Sequence, residues 1–403
     1  MKKVLSLVLS IALMLTLVAC GNAASKPAAS ASAGAEVAAG NFILGCPQPL
    51  TGTNALPGEC ALNAVKLAAK QINEAGGFNG QQITVVSYDD QGSPEEAVKV
   101  ASKLVENDKV NAVIGSCISS CVLSSSNILN DAKIPVFGTG TSPTWMQQGW
   151  KYVFRACQNN DFALPVVVDL WKELGITKIA VFAGQDDAAV AGSETIQTLC
   201  KAAGIEVATV ESYVEGDTDF SGQCAKMINS GAEVMFVSTY GPTQPLIAKQ
   251  LRQYGFEGLC FTKDIYQVDA LQVAGAASDG FAFAYPYLTY ASIDDCKVEN
   301  VKAFLQAYEA EYGELPTSDC AYRAYDSVLV LQEAIKKAGA TDGDSIKDAV
   351  NDITDFKALG GIMDYSMGDG EGLHTCNVFI IDDETYQSWD EWYAAGGYDS
   401  YKK

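Results

Sequence analysis

The stretch from residue 110 to residue 141 limits most strongly what this chain can fold into. VNAVIG and IPVFG are short apolar runs that predict two buried strands, separated by a segment of helix length. Each run is followed by a loop of small and hydroxyl residues, first around Ser119 and Ser120, then TGTSP. Such loops at the carboxyl ends of parallel strands form the ligand crevice of open α/β sheets. A helix N-terminus there suits an anion, although Ser119 as a mere N-cap explains the same residue.

The same alternation of strand and helix continues on both sides of this stretch. Residues 41–46 and 82–87 predict strands that precede it, and each is followed by a helix with one apolar face. A second series of predicted strands comprises residues 179–182, 207–210, 234–238 and 259–262. The pattern predicts the α/β class, with parallel sheets covered by helices on both faces. Because 403 residues exceed one ordinary core, we expect two lobes, with the C-terminal segment returning to the first.

Composition excludes several classes of function. A net charge of −22 argues against nucleic acid and anionic membrane surfaces as partners. His374 is the single histidine, so neither a Ser-His-Asp triad nor a histidine metal site can readily be assembled. Cys117 and Cys121 are too loosely spaced for a zinc site without a second pair. We therefore expect no enzyme, no metal and no cofactor.

The cysteines leave their pairing open. An odd number remains after Cys20, which is unusual for an exported chain. Cys46 with Cys117, and Cys200 with Cys224, are candidate pairs, although an anaerobic envelope would keep all of them reduced.

The first forty residues predict export and anchoring. Lys2 and Lys3 precede an apolar run over residues 4–19, which is typical of a signal peptide and too short for a stable membrane span. LVAC then resembles a bacterial lipobox, which implies lipidation of Cys20; ordinary signal cleavage is the alternative. Residues 21–40 are rich in Ala, Ser and Gly, the composition of a flexible tether.

Taken in order, several motifs resemble one known family. They are the lipobox, PLTGT, INEAGGFNGQQITVVSYDDQGSPEEAVKVASKLV, VNAVIG, TGTSP, GWKYVFRA and AYRAYDSV. This order is similar to that of the type I solute-binding proteins of ABC transporters, in particular the leucine/isoleucine/valine-binding branch, over residues 41–381. The resemblance implies two Rossmann-like lobes joined by a three-segment hinge, the Venus-flytrap arrangement, with the ligand held between the lobes.

The resemblance also implies roles for individual residues. Ser119, with Ser120 as its neighbour in register, corresponds to the serine that binds a ligand carboxylate. Thr139 and Thr141 correspond to the loop that binds an α-ammonium group. Asp264 corresponds to the acidic residue that completes the ammonium site, and it is one carbon shorter than the usual Glu.

Tyr240 matches a tyrosine that reaches across the cleft from the second lobe. Two other family tyrosines are absent, near Pro57 and near Ala188, which weakens the expectation of a branched aliphatic pocket. Tyr266 and Tyr322 are candidates to refill that space, or ordinary packing aromatics.

The sequence thus predicts a lipid-anchored extracytoplasmic protein that captures a small ligand, most simply a zwitterionic amino acid of the branched-chain type, for ABC permease subunits. An envelope sensor of the same fold and a binder of short amides, urea or aromatic acids are the alternatives. The expected segments are a signal peptide (1–20), a tether (21–40), lobe 1 (41–158 plus about 287–363) and lobe 2 (159–286 plus about 364–403).

Overall fold

The computed structural model describes residues 40–401, apart from residues 215 and 242 and the side chains of residues 160 and 161. The expected signal peptide, Cys20 and residues 21–39 of the tether lie outside the described residues. The strands are β1 (Phe42–Gln48), β2 (Ile83–Asp89), β3 (Ala112–Ile114), β4 (Val136–Gly138), β5 (Val153–Arg155), β6 (Lys178–Gly184), β7 (Glu206–Tyr213), β8 (Val234–Ser238), β9 (Cys260–Thr262), β10 (Phe281–Tyr285), β11 (Thr354–Lys357), β12 (Ile362–Asp364), β13 (Asn377–Asp382) and β14 (Thr385–Ser388).

The helices alternate with these strands along most of the chain. They are α1 (Ala55–Glu74), α2 (Pro94–Lys103), α3 (Ser119–Asp131), α4 (Asn160–Glu173), α5 (Asp187–Ala203), α6 (Ser221–Asn229), α7 (Thr243–Gln253), α8 (Val268–Ala274), α9 (Glu299–Tyr312), α10 (Cys320–Ala338), α11 (Gly343–Asn351) and α12 (Trp389–Ala394). Among the helices of the described part, none combines the length and the apolar character that a membrane span requires.

Two separate sheets confirm the α/β prediction. The first has the order β2-β1-β3-β4-β5 and is parallel throughout. The second has the order β14-β13-β10-β9-β8-β6-β7, in which β6 to β10 are parallel and β13 and β14 are antiparallel additions. β8 is buried along its whole length, as expected for a central parallel strand covered on both faces, whereas the edge strand β7 is partly exposed.

The helices after β10 do not stay with the second sheet. α9 and α10 pack against α1, which covers the first sheet, and α11 packs against α10. One hydrophobic cluster runs from Phe42 and Phe137 of the first sheet through α10 to Phe182 and Phe283 of the second. The chain from residue 40 onward is therefore one compact unit built around two sheets.

Local sequence explains several element boundaries. At the start of α2, Ser93 accepts a hydrogen bond from the Glu96 amide at 3.5 Å, and Pro94 occupies the first helical position. The sequence analysis did not predict α8, the β11–β12 hairpin, β14 or α12, because these elements are too short to show a clear helix or strand periodicity.

The chain passes between the sheets after β5, after β10 and after β12. The first and third crossings are tied together at Arg155: its amide donates to the Gly370 carbonyl at 2.9 Å, and the Gly372 amide donates to its carbonyl at 3.0 Å. The buried Arg155 guanidinium also pairs with Glu371, with 3.3 Å between Nε and Oε2. These contacts fix two of the crossings side by side.

Candidate ligand-binding site

A cavity of about 320 Å³ lies where the strands of both sheets end. Its lining includes Ser119, Ser120 and Thr141 from the first sheet's loops, Tyr213, Tyr240 and Asp264 from the second, and Arg323 from α10. Ligand pockets commonly measure about 300–1,000 Å³, so this volume suits a small molecule of amino-acid size.

The first turn of α3 forms one wall of the cavity. α3 begins at Ser119 without a side-chain cap, so its first N–H groups are oriented to receive an anion. Ser119 is buried, and its Oγ accepts a hydrogen bond from the Ser142 amide at 3.2 Å. A Cβ on Gly140 would lie 2.4 Å from this Oγ, so only glycine lets the loop after β4 approach the helix so closely. This wall can hold a carboxylate.

The two threonines of the loop after β4 have different surroundings. Thr141 lines the cavity, and its Oγ1 accepts a hydrogen bond from Lys263 Nζ at 3.3 Å. Thr139 is fully buried and does not line the cavity. Its hydroxyl donates to the Gly115 carbonyl at 3.3 Å, and its carbonyl accepts from Arg323 at 3.0 Å. Thr139 therefore joins loops, while Thr141 faces the ligand space.

Asp264 lies on the opposite wall, already paired with a cation. Its Oδ2 forms an ion pair with the adjacent Lys263, and both side chains are buried. Its Oδ1 is buried and has no hydrogen-bond partner among the described residues. Our sequence analysis did not single out Lys263; a lysine directly after a buried strand, in FTKD, was the signal that could have identified it.

Tyr240 connects the second sheet to the start of α10. Its hydroxyl lies 3.0 Å from Ser318 Oγ, 3.1 Å from Asp319 Oδ1 and 3.2 Å from Cys320 Sγ. Burial, together with the Asp319 charge, raises the pKa of the Tyr240 hydroxyl well above its ordinary value, so it stays neutral. It therefore joins the loop after β8 to the start of α10.

Arg323 is a second cation of the site that sequence reasoning missed, although it lies within the quoted AYRAYDSV. Its guanidinium forms an ion pair with Asp319, and its Nη2 donates a hydrogen bond to the Tyr285 hydroxyl. The guanidinium is buried, lines the cavity and also binds the Thr139 carbonyl. It therefore holds the loop after β4 against α10.

Of the two readings left open for Tyr266 and Tyr322, the structure agrees with ordinary packing aromatics. Tyr266 and Tyr322 are buried in the core and do not line the cavity. Tyr213, at the end of β7, does so and forms a hydrogen bond with Thr239. Ala188, near which the resemblance places an absent family tyrosine, also lines the cavity.

The eleven cysteines among the described residues are free, and neither candidate disulfide is formed. Cys117 instead shares a thiol–thiol hydrogen bond with Cys320, which raises the pKa of Cys117 and lowers that of Cys320. The described residues contain no group of three His, Cys, Asp or Glu side chains that could hold a metal ion. His374 packs its ring on Phe162 and its Nε2 lies 2.9 Å from the Asp364 carbonyl.

Comparison with known proteins identifies the family. The sequence model described as periplasmic binding protein matches residues 44–385, so the chain belongs to that family, which is defined by substrate binding and located outside the cytoplasm. The chain is 29% identical to the leucine-, isoleucine-, valine-, threonine- and alanine-binding protein of Pseudomonas aeruginosa over 318 residues, covering 78% of this chain and 83% of that protein.

Solved structures show the same fold. The branched-chain amino acid transporter substrate-binding protein LivJ of Streptococcus pneumoniae, in complex with isoleucine, superposes with a TM-score of 0.75 at 25% identity, covering 86% of this chain and 98% of the other. A solute-binding protein of Rhodopseudomonas palustris BisB5, in complex with 3,4-dihydroxybenzoic acid, gives a TM-score of 0.75 at 23% identity, covering 85% and 93%. The predicted family and the two-lobe fold are thereby confirmed.

Proposed function

We propose that this protein captures a small carboxylate ligand of amino-acid size between its two lobes and delivers it to an ABC permease. The observation that supports this is a single cavity lined from both sheets, with the start of α3 on one wall and Asp264 with Tyr240 on the other. A ligand that contacts both walls favours the closed arrangement, which a permease can then distinguish from the open one.

The proposed class of ligand rests on the residues that line the cavity and on the ligands named for related proteins. The Pseudomonas and Streptococcus proteins are both named for binding or transporting amino acids. In this chain, Ser119 and Ser120 would bind the carboxylate, and Thr141 and Asp264 would bind the other polar end. Tyr240 would contact the ligand as the lobes close. Lobe 1 would comprise residues 41–158 plus about 287–363, and lobe 2 residues 159–286 plus about 364–403.

Capture is tested by native mass spectrometry of the purified chain, followed by calorimetry with any small molecule that copurifies. We expect one carboxylate-bearing molecule per chain, and weaker binding of its methyl ester. A copurified ligand without a carboxylate, or an ester that binds as well as the acid, would contradict the proposed role of α3.

We also propose that Cys20 carries a lipid that anchors the protein outside the cytoplasmic membrane. The support is the LVAC motif, which lies outside the described residues. The full chain should partition with membranes, and Cys20→Ala should release it or stop its processing. The same mass and membrane fraction for both proteins would refute the anchor.

A further inference from the structure

The ammonium group of Lys263 contacts Thr141 and Asp264, the two side chains to which the family resemblance assigns the ammonium of the ligand. Its Nζ lies 3.3 Å from Thr141 Oγ1 and pairs with Asp264 Oδ2, and its side chain is fully buried. Thr141 and Asp264 both line the cavity, one from each side. The two side chains expected to bind an α-ammonium therefore already share a cation that belongs to the protein.

Close packing fixes the position of the Lys263 side chain. A Cβ on Gly192 of α5 would lie 2.3 Å from Lys263 Cδ and 2.8 Å from Ser238 Oγ. Ser238 is itself held, because its hydroxyl donates to the Ala189 carbonyl at 2.7 Å. The aliphatic stem thus runs along a helix surface that only glycine leaves open, and the charged end is directed to Thr141.

Asp264 has one carboxylate oxygen left to accept a hydrogen bond, while its negative charge is already neutralised by Lys263. Oδ2 is engaged by Lys263, while Oδ1 is buried and unpartnered among the described residues. A ligand ammonium at Oδ1 would lie close to the Lys263 ammonium in a buried site, where like charges repel strongly. A hydroxyl group would satisfy Oδ1 without that repulsion.

We propose that Lys263 determines the specificity of the site and that the ligand is a hydroxy carboxylic acid, with a neutral hydroxyl donor to Asp264, and not an α-amino acid. This inference rests on the proposed function and changes only the class of ligand. The carboxylate lies at the first turn of α3, and the hydroxyl lies on Asp264 Oδ1. Thr141 stays bound to Lys263.

Matched ligand pairs test the inference by calorimetry on the full chain. The pairs are L-leucine and its 2-hydroxy analogue, L-phenylalanine and its 2-hydroxy analogue, and benzoate and 4-hydroxybenzoate. In any pair that binds, we expect the hydroxy acid to bind at least about tenfold more tightly, a difference of 1.4 kcal/mol. Tighter binding of the hydroxy acid in the first two pairs would indicate an aliphatic or arylalkyl 2-hydroxy acid as the ligand. Tighter binding in the third pair would indicate a hydroxylated aromatic acid.

Two variants test the role of Lys263 itself. Lys263→Met should reverse the preference in the amino acid pairs, because the freed Asp264 would then accept an ammonium group. Lys263→Met/Asp264→Asn removes both charges and should abolish the preference; it replaces the single variant if the unpaired Asp264 prevents folding.

The failures are distinguishable. A wild-type protein that binds leucine or phenylalanine more tightly than the hydroxy analogue overturns this inference and leaves the proposed function in place. A preference that is the same in the wild type and the variants overturns the role of Lys263. If no compound binds and no small molecule copurifies, the proposed function fails, and this inference fails with it.

Discussion

The Ser119 hydroxyl serves both the fold and the proposed site. It accepts a hydrogen bond from the Ser142 amide. Ser119 is also the first residue of α3, whose first turn lines the cavity. Its own proton remains for a ligand oxygen. A single side chain thus joins the loop after β4 to the proposed carboxylate position.

Ser119→Ala should weaken binding of the copurified ligand by about 1–3 kcal/mol, because a hydrogen bond is lost while the backbone N–H groups remain. Calorimetry measures this directly. Ser124→Ala on the same helix is the control, since its hydroxyl donates to the Pro94 and Cys121 carbonyls and, among the described residues, it does not line the cavity. Equal losses in the two variants would show that Ser119 acts through α3 stability alone.

Asp326 makes stability depend on pH. It is fully buried on α10, and burial raises its pKa to about 7 even though it accepts hydrogen bonds from the Leu359 and Gly360 amides at 2.8 and 2.9 Å. In the unfolded chain its pKa is about 3.9. The folded state therefore binds the proton more tightly, so this residue's contribution to stability is greatest below about pH 4 and is lost as the pH rises toward 7.

We expect the free energy of unfolding to decrease between those values by up to about 1.4 kcal/mol per pH unit through this residue. Urea unfolding of the wild type and of Asp326→Asn at a series of pH values isolates the effect. The difference between the two curves should change through this interval. Parallel curves would show that Asp326 does not titrate there.

At the scale of elements, Tyr240 joins the loop after β8 to the start of α10, and we expect this contact to hold the cleft closed around a ligand. Tyr240→Phe removes the hydroxyl that reaches Ser318, Asp319 and Cys320. We expect mainly faster ligand dissociation, as for most changes at an interface. Stopped-flow kinetics measures both rates, with Tyr254→Phe, at an exposed tyrosine, as the control. A change confined to the association rate would contradict a closing role.

The fit of α5 against the second sheet's loops depends on Gly192. Gly192→Ala should reduce stability by about 1–3 kcal/mol, because the new methyl group overlaps the Lys263 stem. Gly222→Ala on α6 is the matched control, since a Cβ there meets no atom within 4 Å and alanine favours a helix. Thermal unfolding compares them; equal stability of both variants would show that Lys263 can repack freely.

At the scale of the whole molecule, the crossings between the sheets carry a buried ion pair. Arg155→Met leaves the Glu371 carboxylate buried without its cation, which should cost about 3–5 kcal/mol. Arg155→Met/Glu371→Gln should recover most of that loss, because no charge is then left unpaired. Denaturant unfolding provides both values. A double variant as unstable as the single one would show that the loss comes from the Arg155 contacts with Trp145 and Ser142 instead.

Much of this protein followed from its sequence alone. The alternation of apolar strands and amphipathic helices predicted the α/β class, and the hydroxyl loops at 119–120 and 139–141 lay at the cavity except for Thr139. These features are readable because periodicity, caps and turns depend on neighbouring residues. Even Thr139, which faces away, belongs to the correct loop.

Only the tertiary structure decided which distant polar groups the buried cations contact. Lys263 and Thr141 are 122 residues apart, and the motifs that contain them do not indicate a contact. The same holds for Arg323, whose partner Thr139 lies in the loop after β4 of the first sheet, whereas its partner Tyr285 ends β10 of the second. Such contacts arise when lobes pack against each other, so their energies depend on the burial and distance of groups remote in the chain. For that reason the sequence predicted a binding cleft, whereas the fold placed a buried lysine against two of its lining residues, Thr141 and Asp264.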